Sequence, residues 1–123
     1  MESKTQQKNP SFHENLKVLV DEYASKVYQH TQSFPKEEVF GITSQLRRSA
    51  LSVALNYIEG YARQRPAVLK NFLEISYGSL KESKYLIYFS FKRGYINKKQ
   101  YDELLVLAEE IGAMLWGILS KLK

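Results

Sequence analysis

Five polar residues between positions 45 and 59 recur every three or four residues, and they are the first candidates for chemistry in this sequence. They are Gln45, Arg48, Ser52, Asn56 and Glu59. In an α-helix this spacing places all five on one line along the surface. A guanidinium, an amide and a carboxylate on one line could bind a polar ligand or join two helices by hydrogen bonds.

A second polar line occupies the next predicted helix, at Ser76, Ser79 and Glu82. One hypothesis is that the two lines form a ligand-binding cluster. The other, which we favour, is a buried inter-helix network in which Arg48 pairs with Glu82 or Glu59. Unpaired buried polar groups cost about 1–3 kcal/mol each, and buried arginines favour carboxylate partners. The predicted network comprises Gln45, Arg48, Ser52, Asn56, Glu59, Ser79 and Glu82.

A row of tyrosines and lysines lies on another face of that same helix. Its members are Tyr77, Lys81, Lys84, Tyr88 and Lys92, with Tyr85 beside them. Aromatic rings between lysines can stack on unpaired bases while the ammonium groups meet phosphates. Tyrosine is also enriched at subunit interfaces, and lysine stems can cover apolar surface. The row therefore supports a nucleic-acid surface and a subunit interface equally.

The net charge of +5 is unevenly distributed along the chain. Residues 45–99 carry eleven basic and three acidic side chains, a net of +8, whereas residues 1–44 and 100–123 have net charges of −1 and −2. Such asymmetry favours a polyanionic partner, although a solvated lysine-rich surface gives the same pattern. The predicted nucleic-acid-binding residues are Arg47, Arg63, Arg65, Tyr77, Lys81, Lys84, Tyr88, Lys92 and Arg93.

Four segments with apolar residues every three or four positions predict the helices that hold these side chains. Their expected bounds are about 11–32, 43–63, 66–93 and 97–122. The end signals are a Ser11–Glu14 capping box, Thr43 as an N-cap, Gly94 as a left-handed C-terminal cap, and Asn97 with Gln100.

Short connections between these helices make successive helices antiparallel. The predicted fold class is therefore all-α, a single-domain antiparallel up-down-up-down four-helix bundle over residues 11–123, preceded by a disordered tail at residues 1–10. At 123 residues the chain is too short for two ordinary domains.

Several classes of function lack their residues in this sequence. It has no cysteine, which excludes disulfides and thiolate metal sites. Neither His13 nor His30 belongs to a metal-binding motif, and no glycine-rich phosphate loop or serine elbow occurs. We therefore expect no catalytic residue, no metal and no cofactor. The polar N-terminus and the lack of a run of about 20 apolar residues predict a cytoplasmic protein without membrane association.

Several short motifs together resemble the 23S rRNA intervening-sequence protein family. They are the run Phe34-Pro35-Lys36-Glu37-Glu38, the run Gln45-Leu46-Arg47-Arg48-Ser49-Ala50, the run Asn56-Tyr57-Ile58-Glu59-Gly60, the run Gly78-Ser79-Leu80-Lys81-Glu82 and the turn Gly94-Tyr95-Ile96. The resemblance covers about residues 12–120. In one departure, Arg65-Pro66 stands where family members often open the third helix with a serine.

This resemblance implies properties that periodicity does not show. Family members are four-helix bundles that assemble as homopentamers, and for most of them no biochemical activity is established. The family includes Avd, the accessory protein of diversity-generating retroelements, which is basic and binds nucleic acid and its reverse transcriptase. The resemblance thus implies a homopentamer, with nucleic acid or a protein as possible partner classes.

Three hypotheses for function follow from these observations. The first is a non-enzymatic, basic, oligomeric bundle that binds RNA or single strands through its lysine, arginine and tyrosine surface. The second is a protein-interaction adaptor, for example one accessory to a reverse transcriptase. The third is a structural bundle without a ligand.

Overall fold

A computed structural model describes residues 11–122 as four long helices, with no strand within that range. The helices are α1 (Phe12–Thr31), α2 (Ile42–Tyr61), α3 (Pro66–Lys92) and α4 (Lys98–Leu119), and a short 3-10 helix (Lys36–Glu38) lies between the first two. Each long helix packs against two neighbours: α1 and α3 both contact α2 and α4. The predicted disordered tail at residues 1–10 lies outside the described residues.

The ends of α1, α3 and α4 follow the predicted chemistry. Ser11 and Glu14 form a complete capping box, in which the Glu14 backbone N–H donates to Ser11 Oγ at 3.0 Å. Asn97 and Gln100 form a second one at the start of α4. Gly94 has a φ of 79°, the left-handed conformation that favours glycine and ends α3. These local signals therefore set where α1 and α4 begin and where α3 ends.

The prediction that Thr43 is the N-cap of α2 is wrong. The helix begins at Ile42, and Gly41 occupies the N-cap position without a side-chain bond. The 3-10 helix brings Glu38 to this point, where its Oε1 accepts from the Ile42 backbone N–H at 3.3 Å. Because Glu38 takes the capping role, Thr43 turns inward, and its buried hydroxyl has no hydrogen-bond partner in the structure.

The core fills the space between the four helices with apolar side chains from all of them. Its largest fully buried members include Tyr23 and Tyr57 from α1 and α2, and Leu80 and Ile111 from α3 and α4. Each comes from the apolar stripe that the 3.6-residue period places on one face of its helix. Within residues 11–122, no helix is both long and apolar enough to cross a bilayer.

Two hydrogen bonds cross this core and set the positions of the helices. Ser76 Oγ on α3 donates to the Val53 carbonyl oxygen on α2 at 2.7 Å. Tyr23 Oη on α1 lies 2.7 Å from Ser83 Oγ on the diagonally opposite α3. Burial raises the pKa of the Tyr23 hydroxyl above its ordinary value, against a smaller lowering by Ser83. The hydroxyls of Ser76 and Tyr23 are thus paired across helices.

Candidate nucleic-acid interface

The tyrosine–lysine row of α3 lies along the border between α3 and α4. Lys81, Tyr88 and Lys92 are exposed, whereas Tyr77 and Lys84 are half-buried. Since the row follows one face of a single helix, its members keep the order and spacing that the sequence predicts. The row is therefore one continuous surface, although not all of it faces solvent.

Residues of α4 neutralise one member of the row and pack against another. Lys84 Nζ forms an ion pair with Glu109, which lowers the pKa of the Glu109 carboxyl chiefly through that hydrogen bond. The Tyr77 ring lies 5.9 Å from that of Trp116, and Lys81 Nζ lies 5.3 Å from the Tyr77 centroid. Lys84 thus contributes little free positive charge to the surface.

The exposed part of the row is here called the basic–aromatic face and consists of Lys81, Tyr85, Tyr88 and Lys92. The Tyr85 ring lies 6.4 Å from the Tyr88 ring and 6.3 Å from that of Phe89. All three rings are exposed to solvent. This face therefore combines two cations with aromatic rings that can stack on flat ligands.

Trp116 extends the aromatic surface and was not among the predicted site residues. It is exposed and lines a cleft of about 390 Å³ between α3 and α4 with Lys70, Tyr77 and Leu119. The sequence does contain a signal for it, because this single tryptophan falls outside the apolar stripe of the fourth helix. A bulky aromatic residue off the stripe indicates a surface side chain.

The predicted arginines do not form one continuous basic band with this face. Arg47 on α2 contacts α1, where its Nε donates to Thr31 Oγ1 at 2.7 Å. Arg63 pairs with Glu59 at 3.5 Å, and Arg65 and Arg93 lie exposed at opposite ends of α3. A helix of 27 residues is about 40 Å long. The nine predicted residues are thus spread over at least three separate regions.

Residues of the predicted polar network line an open groove between α2 and α3. The groove has a volume of about 600 Å³, and we call it the α2–α3 groove. It is lined by Gln45, Arg48, Ser49, Ser52, Ser79 and Glu82. Ser52 and Ser79 share a hydrogen bond of 2.7 Å between their hydroxyl oxygens, and Asn56 Nδ2 donates to Ser52 Oγ at 2.9 Å. The centre of the predicted network is therefore present.

The predicted pairing of Arg48 with Glu82 or Glu59 is wrong for the described chain. Arg48 and Glu82 line the same groove, but both are exposed and neither belongs to an ion pair among residues 11–122. Glu59 is also exposed and pairs instead with Arg63. Both charges face outward because the polar line lies on the outer side of the contact between the two helices. The network is consequently not buried within one chain.

Two comparisons with known proteins bear on this fold. A family model described as "23S rRNA-intervening sequence protein" matches residues 15–117. A crystal structure of a protein with unknown function from the S23 ribosomal protein family of Bacteroides thetaiotaomicron has a TM-score of 0.76 and 24% sequence identity, covering 85% of this chain and 97% of that chain. No curated protein matches the chain. The structural likeness confirms the predicted four-helix fold.

Proposed function

Because the chain belongs to the 23S rRNA-intervening sequence protein family, we propose that it is a non-enzymatic, homo-oligomeric helical bundle that binds RNA or single-stranded nucleic acid. The binding surface in this proposal is the basic–aromatic face of α3. Binding there is electrostatic with base stacking, and it tolerates many sequences because phosphates and aromatic faces are common to every nucleotide.

The observation that supports this proposal is the arrangement of exposed charges and rings along α3. Lys81 and Lys92 project from the same side of the helix as Tyr85 and Tyr88, without an ion pair to either lysine in the described chain. Free ammonium groups can replace the counterions of a phosphate backbone, which makes affinity fall with salt. The two tyrosines supply the stacking surfaces between them.

A double charge reversal, Lys81→Glu with Lys92→Glu, tests this surface. We expect the affinity for a mixed-sequence single-stranded RNA to fall at least about tenfold. The slope of log affinity against log salt concentration should correspond to about two fewer neutralised phosphates. Fluorescence polarisation over a range of salt concentrations measures both quantities. Both lysines are exposed, so the variant should fold normally.

The matched control is Lys17→Glu with Lys121→Glu, which changes the net charge equally at exposed positions on α1 and after α4. It should bind nearly as well as the original chain. Equal losses in the two double variants would mean that net charge alone matters and would rule out the basic–aromatic face. The absence of salt-dependent binding by the original chain would rule out the proposed function itself.

The homo-oligomer in this proposal is supported by the outer surface around the α2–α3 groove. Leu51, Leu55 and Ile58 on α2 and Ile75 on α3 are exposed next to it. The groove also contains Arg48 and Glu82, which have opposite charges and form no ion pair within residues 11–122. A second copy of this chain could cover the apolar side chains and supply a carboxylate to Arg48. In a ring of five, each protomer uses two different faces.

Leu55→Glu is expected to break this assembly. The side chain of Leu55 is 60% exposed, so a glutamate there should leave the protomer folded but place a charge in the apolar contact. Val106→Glu on α4 is the control, since Val106 is 65% exposed and lies on another helix. Multi-angle light scattering should show lower mass only for Leu55→Glu. A native mass of one 14.3 kDa chain would contradict the proposed oligomer.

A further inference from the structure

The exposed indole of Trp116 on α4 forms one wall of the cleft between α3 and α4. We call it the Trp116 cleft, and its other lining residues include Lys70, Glu74, Tyr77 and Gly78. Its volume of about 390 Å³ falls within the range of about 300–1,000 Å³ that is usual for small-molecule sites. Tryptophan is highly buried on average in folded proteins, whereas Trp116 is 59% exposed. A largely exposed indole in a concave site indicates a surface for a flat ligand.

The residues around the indole are small, which leaves space beside the ring. Gly112, Ala113 and Ser120 lie three or four positions from Trp116 in α4, so they are its neighbours on the helix surface. Gly78 on α3 lines the cleft, and a Cβ atom there would contact no described atom within 4 Å apart from its chain neighbours and the adjacent backbone of its own helix. A flat ligand can therefore approach the indole without displacing a bulky side chain.

Charged residues on both sides of the aromatic pair favour a small ligand over a protein. The ring centroids of Tyr77 and Trp116 lie 5.9 Å apart. Lys70 and Glu74 lie beside this pair toward the start of α3, and Glu109 lies beside it toward the end of α3. A stable protein interface buries about 800 Å² on each partner, and charged residues are depleted at its centre. Two rings between charged residues do not provide such a centre.

The Trp116 cleft continues the basic–aromatic face toward the start of α3. Lys81 belongs to that face, and its Nζ lies 5.3 Å from the ring centroid of Tyr77, which lines the cleft. Lys70 supplies a second ammonium group in the lining. A single strand that follows α3 would therefore place one base in the cleft and its phosphates near these two lysines.

The carboxylate of Glu74 gives the cleft a means to select one base. Glu74 lines the cleft and forms no ion pair within residues 11–122. An ionised carboxylate is only a hydrogen-bond acceptor, and its two oxygens can accept two parallel bonds. Guanine carries two adjacent N–H donors on its pairing edge, at N1 and at the 2-amino group. Adenine, cytosine and uracil carry an acceptor beside their donor there, and a carboxylate repels that acceptor.

We propose that the Trp116 cleft binds one unpaired guanine base of an RNA strand. The base stacks on the indole, and the Glu74 carboxylate accepts hydrogen bonds from its N1–H and 2-amino groups. Lys70 and Lys81 contact the phosphates of the same strand. This inference rests on the proposed function, and it adds one preferred base to a binding surface that otherwise tolerates many sequences.

The fluorescence of Trp116 tests this inference directly, because it is the only tryptophan in the chain. A single-stranded oligouridine with one central guanosine should quench this fluorescence as it binds. The same strand with inosine, which lacks the 2-amino group, should bind about tenfold more weakly, the usual effect of losing one hydrogen bond to a charged group. Titration of the full chain with each strand measures both affinities.

Glu74→Ala should abolish the difference between the guanosine and inosine strands, because it removes the acceptor. Asp21→Ala on α1 is the matched control, since it makes the same change in net charge at another exposed position and should keep the difference. Trp116→Leu should weaken binding of the guanosine strand at least about fivefold in fluorescence polarisation. Trp116→Phe, which keeps a ring for stacking, should restore most of that affinity.

Three results would overturn the inference. Strand binding that is visible in polarisation but leaves Trp116 fluorescence unchanged, or equal affinity of the original chain for guanosine and inosine strands, removes the guanine site and leaves the proposed function intact. No binding of either strand removes both. A change in Trp116 emission when the protein is diluted without RNA assigns the cleft to a second copy of the chain.

Discussion

Replacing Tyr23 with alanine is expected to lower the free energy of unfolding by about 3–5 kcal/mol, the usual cost of deleting a buried aromatic ring. Tyr23 is fully buried and its hydroxyl reaches Ser83 on the opposite helix at 2.7 Å. The substitution therefore removes both a large part of the core and a hydrogen bond that crosses the bundle. Urea denaturation followed by circular dichroism, at one protein concentration, measures the loss.

Tyr23→Phe separates the ring from the hydroxyl and serves as the control. Ser83 Oγ also donates to the Leu80 carbonyl oxygen at 2.8 Å, so it keeps a partner when the phenol is removed. The expected loss is about 1 kcal/mol. Equal losses for Tyr23→Phe and Tyr23→Ala would show that the hydrogen bond, and not the ring, dominates at this position.

The same control has a pH dependence that follows from burial. Because burial raises the pKa of the Tyr23 hydroxyl above its ordinary value of 10.0, the unfolded chain loses this proton at a lower pH than the folded chain does. The native contribution of Tyr23 is therefore complete below about pH 10 and declines as the pH rises further. Tyr23→Phe should make unfolding less sensitive to pH in that alkaline range.

Gly60→Leu is the second substitution with a large expected effect. A Cβ atom at Gly60 would lie 3.1 Å from both Leu69 Cδ1 and Phe72 Cβ, because α2 and α3 approach each other closely at this point. A leucine there should force the helices apart and cost about 1–3 kcal/mol. Denaturant titration of the variant measures this cost, which should appear as a lower midpoint concentration of denaturant for unfolding.

Gly78→Leu is the matched control on the partner helix. A Cβ at Gly78 would meet no described atom within 4 Å outside its chain neighbours and the adjacent backbone of its own helix. Since leucine has a higher helix propensity than glycine, by a little under about 1 kcal/mol, this variant should gain stability slightly. If both glycine variants had the same stability, close packing of α2 on α3 would not explain the glycine at position 60.

The helix ends were predictable from the sequence because the residues that determine them lie close together in the chain. The Ser11 capping box, the Asn97 capping box and the left-handed Gly94 each depend on side chains within a few residues. The prediction for Thr43 failed because the carboxylate of Glu38, four residues before Ile42, accepts a hydrogen bond from the first backbone N–H of α2. The sequence alone did not indicate this competing cap, because it depends on the 3-10 helix that brings Glu38 to the start of α2.

The candidate site was less predictable because its contacts join distant parts of the chain. Periodicity placed Arg48 and Glu82 on adjacent helices and so predicted a shared location, which the α2–α3 groove provides. It could not say whether the line faces inward or outward on a helix that is apolar over much of its circumference. Likewise, the ion pair that neutralises Lys84 comes from Glu109, a residue on another helix.

The contacts of Tyr95 connect two chain reversals that are far apart in sequence. Its hydroxyl donates to Glu38 and its ring lies 5.3 Å from that of Phe34, so the α3–α4 turn is fastened to the segment between α1 and α2. A local opening of either turn must break the same contacts. Amide protons at this end should therefore exchange as one cooperative unit, and the segment between α1 and α2 should be protected together with the α3–α4 turn.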